Sequence, residues 1–344
     1  MSLDGVARTF YQLVPASVQE VPPVAIEEDY TISKGHKIFV VRREETGRSS
    51  ASHNSTPHDD AGGFFSHVLH SNYSLAQNLA PLGPKIASVE LQELPTSSMN
   101  QAGTGAMTWE SSIAMALYFS AHPWMLQGDI CELGSGVGLG GILADLCPRF
   151  NHSYSSHSVH SITLTDNNDA VIRQCHNNVE KVFGLKPQTS GPDIHVSKLD
   201  WNDFLKPQLG HYHDTFDTII ACDCAYRRNY QDIAALSYTM KQLLKESNPD
   251  AKIHLFGPHD RAALHDVVRL LTTDERLNME VEMNVVQIAR FRLKPAWKRS
   301  FNLFGRNEVT ANEVPKELPP DEDRRYASKS VSKFLHVTIS HKRK

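Results

Sequence analysis

Residues 129 to 141, Asp-Ile-Cys-Glu-Leu-Gly-Ser-Gly-Val-Gly-Leu-Gly-Gly, restrict the fold more than any other stretch of the chain. A short apolar run broken by glycines and followed by a helix-compatible segment reads as strand, turn and helix, the helix beginning near Val137 and stopping about Leu146, before Pro148. Gly134, Gly136 and Gly138 can adopt positive φ and bring the backbone, Ser135 included, close to a ligand. The unpaired N–H groups of the following helix would point at whatever binds there. The spacing is G-x-G-x-G, with Leu139 where the dinucleotide pattern G-x-G-x-x-G puts its third glycine, which argues against a nicotinamide or flavin site. Glu132, just ahead of the turn, would repel a pyrophosphate but can accept a hydrogen bond from an amino group. The turn therefore suits a cofactor with a cationic amino-acid tail.

With 344 residues, 40% of them hydrophobic, the chain can bury one sizeable core, or one core and a smaller appendage. A formal net charge of -4 with dispersed Lys and Arg leaves no global footprint for nucleic acid. The start, Met-Ser-Leu-Asp-Gly, has neither a basic n-region nor an apolar h-region, and no apolar run approaches the roughly 18 residues of a membrane span. The five cysteines, Cys131, Cys147, Cys175, Cys222 and Cys224, are odd in number and lack disulfide spacing. A soluble protein of the cytoplasm, with the nucleus as a second location, is the expectation. The 18 histidines are scattered through polar loops without metal-ligand spacing, so no metal is expected.

The first hundred residues are loosely organised. Tyr30–Ser33 and Lys37–Val41 flank a Lys-Gly-His turn as a hairpin, and Ala87–Leu94 alternates like another strand. Thr46–Gly63, rich in Ser, His, Asn and Asp, reads as a mobile loop. After it, Ser111–Ser120 has the apolar spacing of a helix entered at Thr108 or Ser111, with Trp109 at its entrance.

Residues 150–160 read as a polar insertion, followed by a strand from Ser161 to Thr165 that ends at Asp166. A carboxylate there can accept both hydroxyls of a ribose, and can also cap the next helix, Asn168–Phe183. A third strand, Ile194–Leu199, leads into Asp200-Trp201, where a carboxylate can accept from an exocyclic amine while the indole packs on a ring. Phe216–Cys222 is the clearest strand and stops at Asp223-Cys224-Ala225-Tyr226. Ligands of open α/β sheets bind at the carboxyl ends of strands, so Asp223 and Tyr226 should face the same cleft as the glycine turn. Helices at 230–245 and 261–271 enclose a strand at 252–256, and strands at 281–293 and 333–341 close the pattern. If the strand ending at Leu293 is parallel to the others, the Pro-interrupted insertion 294–332 emerges on the ligand side and could cover an acceptor site.

The 130–141 turn resembles motif I of the class I, seven-strand S-adenosylmethionine-dependent methyltransferases. Thr104-Gly105-Ala106-Met107-Thr108-Trp109, Leu199-Asp200-Trp201 and the Asp223-x-x-Tyr226 after strand four resemble the family 16 branch, which modifies lysine and occasionally histidine side chains in proteins. The resemblance spans roughly 104–341. It implies an α/β, Rossmann-like seven-stranded sheet with an antiparallel last strand and helices on both faces. An N-terminal β-rich extension (1–100) would precede the methyltransferase domain (101–344).

The resemblance also implies site residues. Trp109, Glu132, Gly134, Ser135, Gly136, Gly138, Asp166, Asp200, Trp201 and Cys222 would hold S-adenosylmethionine, while Asp223 and Tyr226 would act on a lysine of a protein acceptor. By the same resemblance that acceptor is a subunit of a complex, or a chaperone or translation factor. Two alternatives stand beside this reading: transfer to a histidine or a small molecule, and a silent cofactor-binding scaffold. Amine methylation on nucleic acid is disfavoured, because no Asn/Asp-Pro-Pro-aromatic motif follows strand four.

Overall fold

The computed structural model describes residues 8–13, 24–31, 36–43, 85–95, 103–146, 159–184, 192–205, 214–293 and 326–342. Its strands are β1 (Arg8–Leu13), β2 (Val24–Thr31), β3 (His36–Arg43), β4 (Lys85–Gln92), β5 (Gly128–Leu133), β6 (Val159–Asp166), β7 (Asp193–Lys198), β8 (Thr218–Cys222), β9 (Lys252–Pro258), β10 (Met279–Leu293) and β11 (Tyr326–His341). The helices are α1 (Glu110–Ala121), α2 (Leu139–Leu146), α3 (Asp169–Phe183), α4 (Tyr230–Leu243) and α5 (Ala262–Thr273).

Strands β7, β6, β5, β8 and β9 pair in parallel, in that order, and β11 inserts antiparallel between β9 and β10. These seven strands are the expected seven-stranded plan with its reversed last strand. The apolar runs of β5 and β8 exist because both faces are covered. Ile130 and Ile220 face the core formed with α1, α2 and α3, while Cys131, Ile219 and Ala221 face the core formed with α4 and α5. Between β9 and β11, His254 Nδ1 and His336 Nε2 lie 3.0 Å apart, fully buried, with His336 stacked on Phe256. Burial pushes His254 down to about 4, so this pair is neutral at pH 7.

The sheet does not stop at seven strands. Antiparallel pairs β10–β1, β1–β2, β2–β3 and β3–β4 extend it to eleven, so the N-terminal strands continue the same sheet. Strands β2, β3 and β4 realise the expected hairpin and third strand, whereas β1 was not anticipated. Strand β11 starts at Tyr326, well ahead of Lys333. The expected loop at 46–63, most of the insertion at 294–332 and most of the polar insertion at 150–160 lie outside the described residues.

Val286 pairs with Phe334, which in turn pairs with Pro258 at the end of β9. Residues 287–293 therefore run past the carboxyl edge of the parallel strands, by roughly 3.3 Å per residue. Strand β1 pairs with that projection, Leu13 opposite Ile288 and Thr9 opposite Arg292. Chain direction in β10 matches the parallel strands, so β10 ends on their carboxyl side. Helix α1 buries the near face of the N-terminal strands, with Tyr11, Ile26, Phe39 and Leu91 in one core with Ile113 and Met115.

Candidate active site

The turn after β5 is fixed by backbone geometry. Gly134 and Gly136 have φ of 62° and 56°. A Cβ at Gly134 would stand 2.8 Å from Cys224 Sγ, and one at Gly136 would stand 3.1 Å from the Gly105 carbonyl oxygen, so both positions need glycine for conformation and for space. Ser135 N donates to Thr165 O at 2.8 Å, tying the turn to β6. Beneath it, Glu132 is buried, and its Oε2 accepts from Gly141 N at 2.8 Å. Burial pushes the Glu132 carboxyl up to about 8. The sequence reading aimed this carboxylate at a cofactor's amino group; instead it faces the first turn of α2 and does not line the cavity. Gly138 does not line it either: a Cβ there would meet Cys175 Sγ at 2.9 Å, on the inner side of the turn.

A cavity of about 520 Å³ opens above this turn, at the carboxyl ends of β5, β6 and β8. Gly134, Ser135, Gly136, Asp166, Asp200, Trp201, Cys222, Asp223, Tyr226 and Trp109 all line it, so residues far apart in sequence converge as expected. Asp166 Oδ1 accepts from Asn168 N at 3.1 Å and its Oδ2 from Gly136 N at 3.3 Å, which points the carboxylate at the turn. Burial raises its pKa and these N–H bonds oppose the rise. The cap of α3 is Asn168, whose side chain accepts from Ala170 N and Val171 N; Asp166 does not serve as that cap. Trp109 is the N-cap residue of α1, and its indole Nε1 donates to Thr104 O at 3.0 Å, bracing the turn Gly103–Ala106.

At the opposite end, Asp223 adopts a left-handed backbone with φ of 53° and donates its N–H to Phe256 O at 2.8 Å. Such a conformation costs a non-glycine residue on the order of 1 kcal/mol and throws the side chain out of the strand's alternation. Its Oδ1 lies 2.8 Å from Arg261 Nη2, and Ser111 Oγ donates to its Oδ2 at 3.4 Å. Burial raises the Asp223 pKa, and the Arg261 guanidinium opposes the rise. Tyr226, 40% exposed, stands at the rim with the Arg227 guanidinium 5.4 Å from its ring centre. Sequence reasoning missed Arg261 and Ser111. Neither has a local signature, although Arg261 closes a Gly-Pro-His-Asp turn at a strand end, where ligand-side residues gather.

Residues 89–257 match a family model described as lysine methyltransferase. This segment, just under half of the chain, is similar to that family. The calmodulin-lysine N-methyltransferase of Arabidopsis thaliana is 28% identical to the chain over 141 residues, 40% of each protein. The chain thus spans under half the length of the curated relative it matches. Among solved structures, magnesium protoporphyrin IX methyltransferase from Synechocystis PCC 6803 with bound SAM is 10% identical, over 79% of this chain and 92% of that one, with a TM-score of 0.37. A putative RNA methyltransferase from Pyrococcus horikoshii is 8% identical over 67% and 83%, also at 0.37. Scores this low carry no functional meaning.

S-adenosylmethionine is the cofactor that the sequence led us to expect, and the residues of the cavity fit that group. The glycine turn is a cradle that any Cβ would fill. Asp166 keeps an acceptor position for a ribose hydroxyl, since a carboxylate offers about four and the N–H groups of Gly136, Asn167 and Asn168 take three. Trp201 adds an aromatic wall and Asp200 an acceptor, both on the cavity lining. Among the described residues no cluster of His, Cys, Asp or Glu has the form of a metal site.

Proposed function

We propose that the protein transfers a methyl group from S-adenosylmethionine to the side-chain amine of a lysine in a protein acceptor. The observation that carries this reading is the opening of Asp223, backed by Arg261, onto the same cavity as the glycine turn. The family description and the printed name of the Arabidopsis relative support a lysine acceptor.

S-adenosylmethionine supplies an electrophilic methyl carbon when bound. What the chain must do is align an amine with that carbon and exclude water. A lysine is protonated at neutral pH and attacks only after losing a proton; a half-buried pocket favours that loss by disfavouring charge. A carboxylate oxygen of Asp223 would then accept an N–H bond from the neutral amine and stabilise positive charge as it grows on nitrogen. Tyr226, at the rim, would wall the channel through which the side chain enters.

The test is transfer of tritiated methyl from the cofactor in an extract of cells lacking this protein, with hydrolysis of the labelled product. Label in methyl-lysine of a discrete polypeptide is expected. Asp223→Ala should cut labelling by at least ~10²-fold, the scale of losing one preorganised electrostatic group, while leaving affinity for S-adenosylhomocysteine nearly intact. Label in methyl-histidine or in small molecules, or full labelling by the variant, would overturn the reading.

A further inference from the structure

The family-matched segment begins at residue 89, inside β4, yet the entrance of α1 is held from further upstream. Lys37, on β3, puts Nζ 2.8 Å from Thr108 Oγ1, 3.1 Å from Glu93 Oε1 and 3.2 Å from Glu28 Oε1. Thr108 donates both its backbone N–H and its hydroxyl to Glu93 Oε1, each at 2.7 Å. Tyr11, on β1, closes the chain by donating to Glu28 Oε2 at 2.7 Å. These groups are largely buried: the side chains of Lys37, Glu28 and Glu93 are 14%, 17% and 7% exposed. Burial alone would push the Lys37 ammonium down, but the Glu28 and Glu93 carboxylates outweigh it and hold the pKa above its ordinary value.

Thr108 lines the cavity and is followed by Trp109, whose indole braces Thr104. Leu94 N also donates to Ala106 O at 3.0 Å, and Glu110 pairs with Arg290 of β10 at 2.6 Å. The cavity wall from Gly103 to Trp109, with Glu110 next to it, is thus clamped to β1, β2 and β3, to the residues just past β4, and to β10. A buried, hydrogen-bonded charge network costs desolvation, and its return is a fixed geometry of the groups it joins.

We propose that Lys37 is a positioning residue of the cofactor cavity: through Thr108 it fixes Trp109 and the 103–106 turn, which makes β1–β3 part of the binding site. This rests on the cofactor reading of the cavity. Calorimetric titration with S-adenosylhomocysteine tests it. Lys37→Met and Thr108→Val should each weaken binding by about tenfold, and the double variant should be no weaker than the poorer single one, because both cut the same link. Lys37→Arg should keep most of the affinity.

Hydrogen exchange without any cofactor supplies an independent readout. Exchange over 103–112 should quicken in Lys37→Met while 128–146 stays as in the wild type. Should Lys37→Met fail to fold, Lys37→Met/Glu28→Gln removes one charge of each sign and replaces it. Unchanged affinity together with unchanged exchange, or losses that add in the double variant, would overturn the proposal. Absence of binding to the wild type would overturn the cofactor reading instead, and the exchange data would still decide the role of Lys37.

Discussion

Two carboxyl groups stand at the ends of adjacent parallel strands, one beneath the glycine turn and one facing the cavity, and do different jobs. Glu132, on β5, keeps the strand's alternation, points inward and accepts a backbone N–H of α2. Asp223, just past β8, sits on a left-handed kink, turns to the cavity and meets a guanidinium. The first shapes the cradle from below without touching what lies in it. The second is presented to what lies in it, with its charge already balanced. Residue type and strand position are alike in the two cases; backbone φ and the nearest cation separate them.

The largest effect expected from altering this contrast is at the cradle. Gly134→Ala forces a left-handed alanine against Cys224 Sγ, so a stability loss of about 2 kcal/mol and a drop of about tenfold or more in S-adenosylhomocysteine affinity are expected. Thermal melts and titration would read both, and a silent alanine would mean that the turn is not held as described. Next, Arg261→Met removes the cation from Asp223, whose pKa is raised by burial and should rise further. Transfer should fall by about tenfold near pH 7 and recover as pH rises and re-ionises the carboxylate, while cofactor affinity stays put. A loss of the same size at every pH would make Arg261 merely structural.

The smallest effect on function is expected at Glu132→Gln, with cofactor affinity unchanged. The carboxyl is raised from 4.5 to about 8 in the folded protein, so between those values the folded state holds a proton that the unfolded state has released. Wild-type stability from this group is therefore full below about 4.5 and declines as pH climbs toward 8. The glutamine variant should match the wild type at pH 4.5 and gain on it by up to about 1.4 kcal/mol per pH unit above that. Parallel stability curves would show that Glu132 is ionised in place.

Much of this was legible in the sequence. The parallel strands are buried on both faces, so β8 reads as an apolar run and β5 as a short one interrupted by Glu132, and their ends carry the glycine turn and Asp223. Asp166, Trp201 and Trp109, which line the cavity, could be located because strand ends and helix starts are locally marked. The start of β11, Tyr-Ala-Ser-Lys-Ser-Val-Ser-Lys, was hidden by its polar alternation, which resembles a loop. Strand β1 has six residues and sits between β2 and β10, the latter hundreds of residues away. The inward turn of Glu132 and the pairing of Asp223 with Arg261 are matters of side-chain direction and distant contact. No spacing rule records either.

The pairing of β1 with β10 has a consequence for how the protein is made. Leu13 waits for Ile288 to leave the ribosome before its strand, already beside β2, can find its second neighbour. At about 5–20 residues per second, that delay is on the order of tens of seconds. The parallel core through β9 can assemble during that interval, but the Glu110–Arg290 clasp and the β1–β10 pairing cannot. The wall bearing Trp109 therefore receives its last fastening, the Glu110–Arg290 ion pair, only after the glycine cradle beside it can have formed.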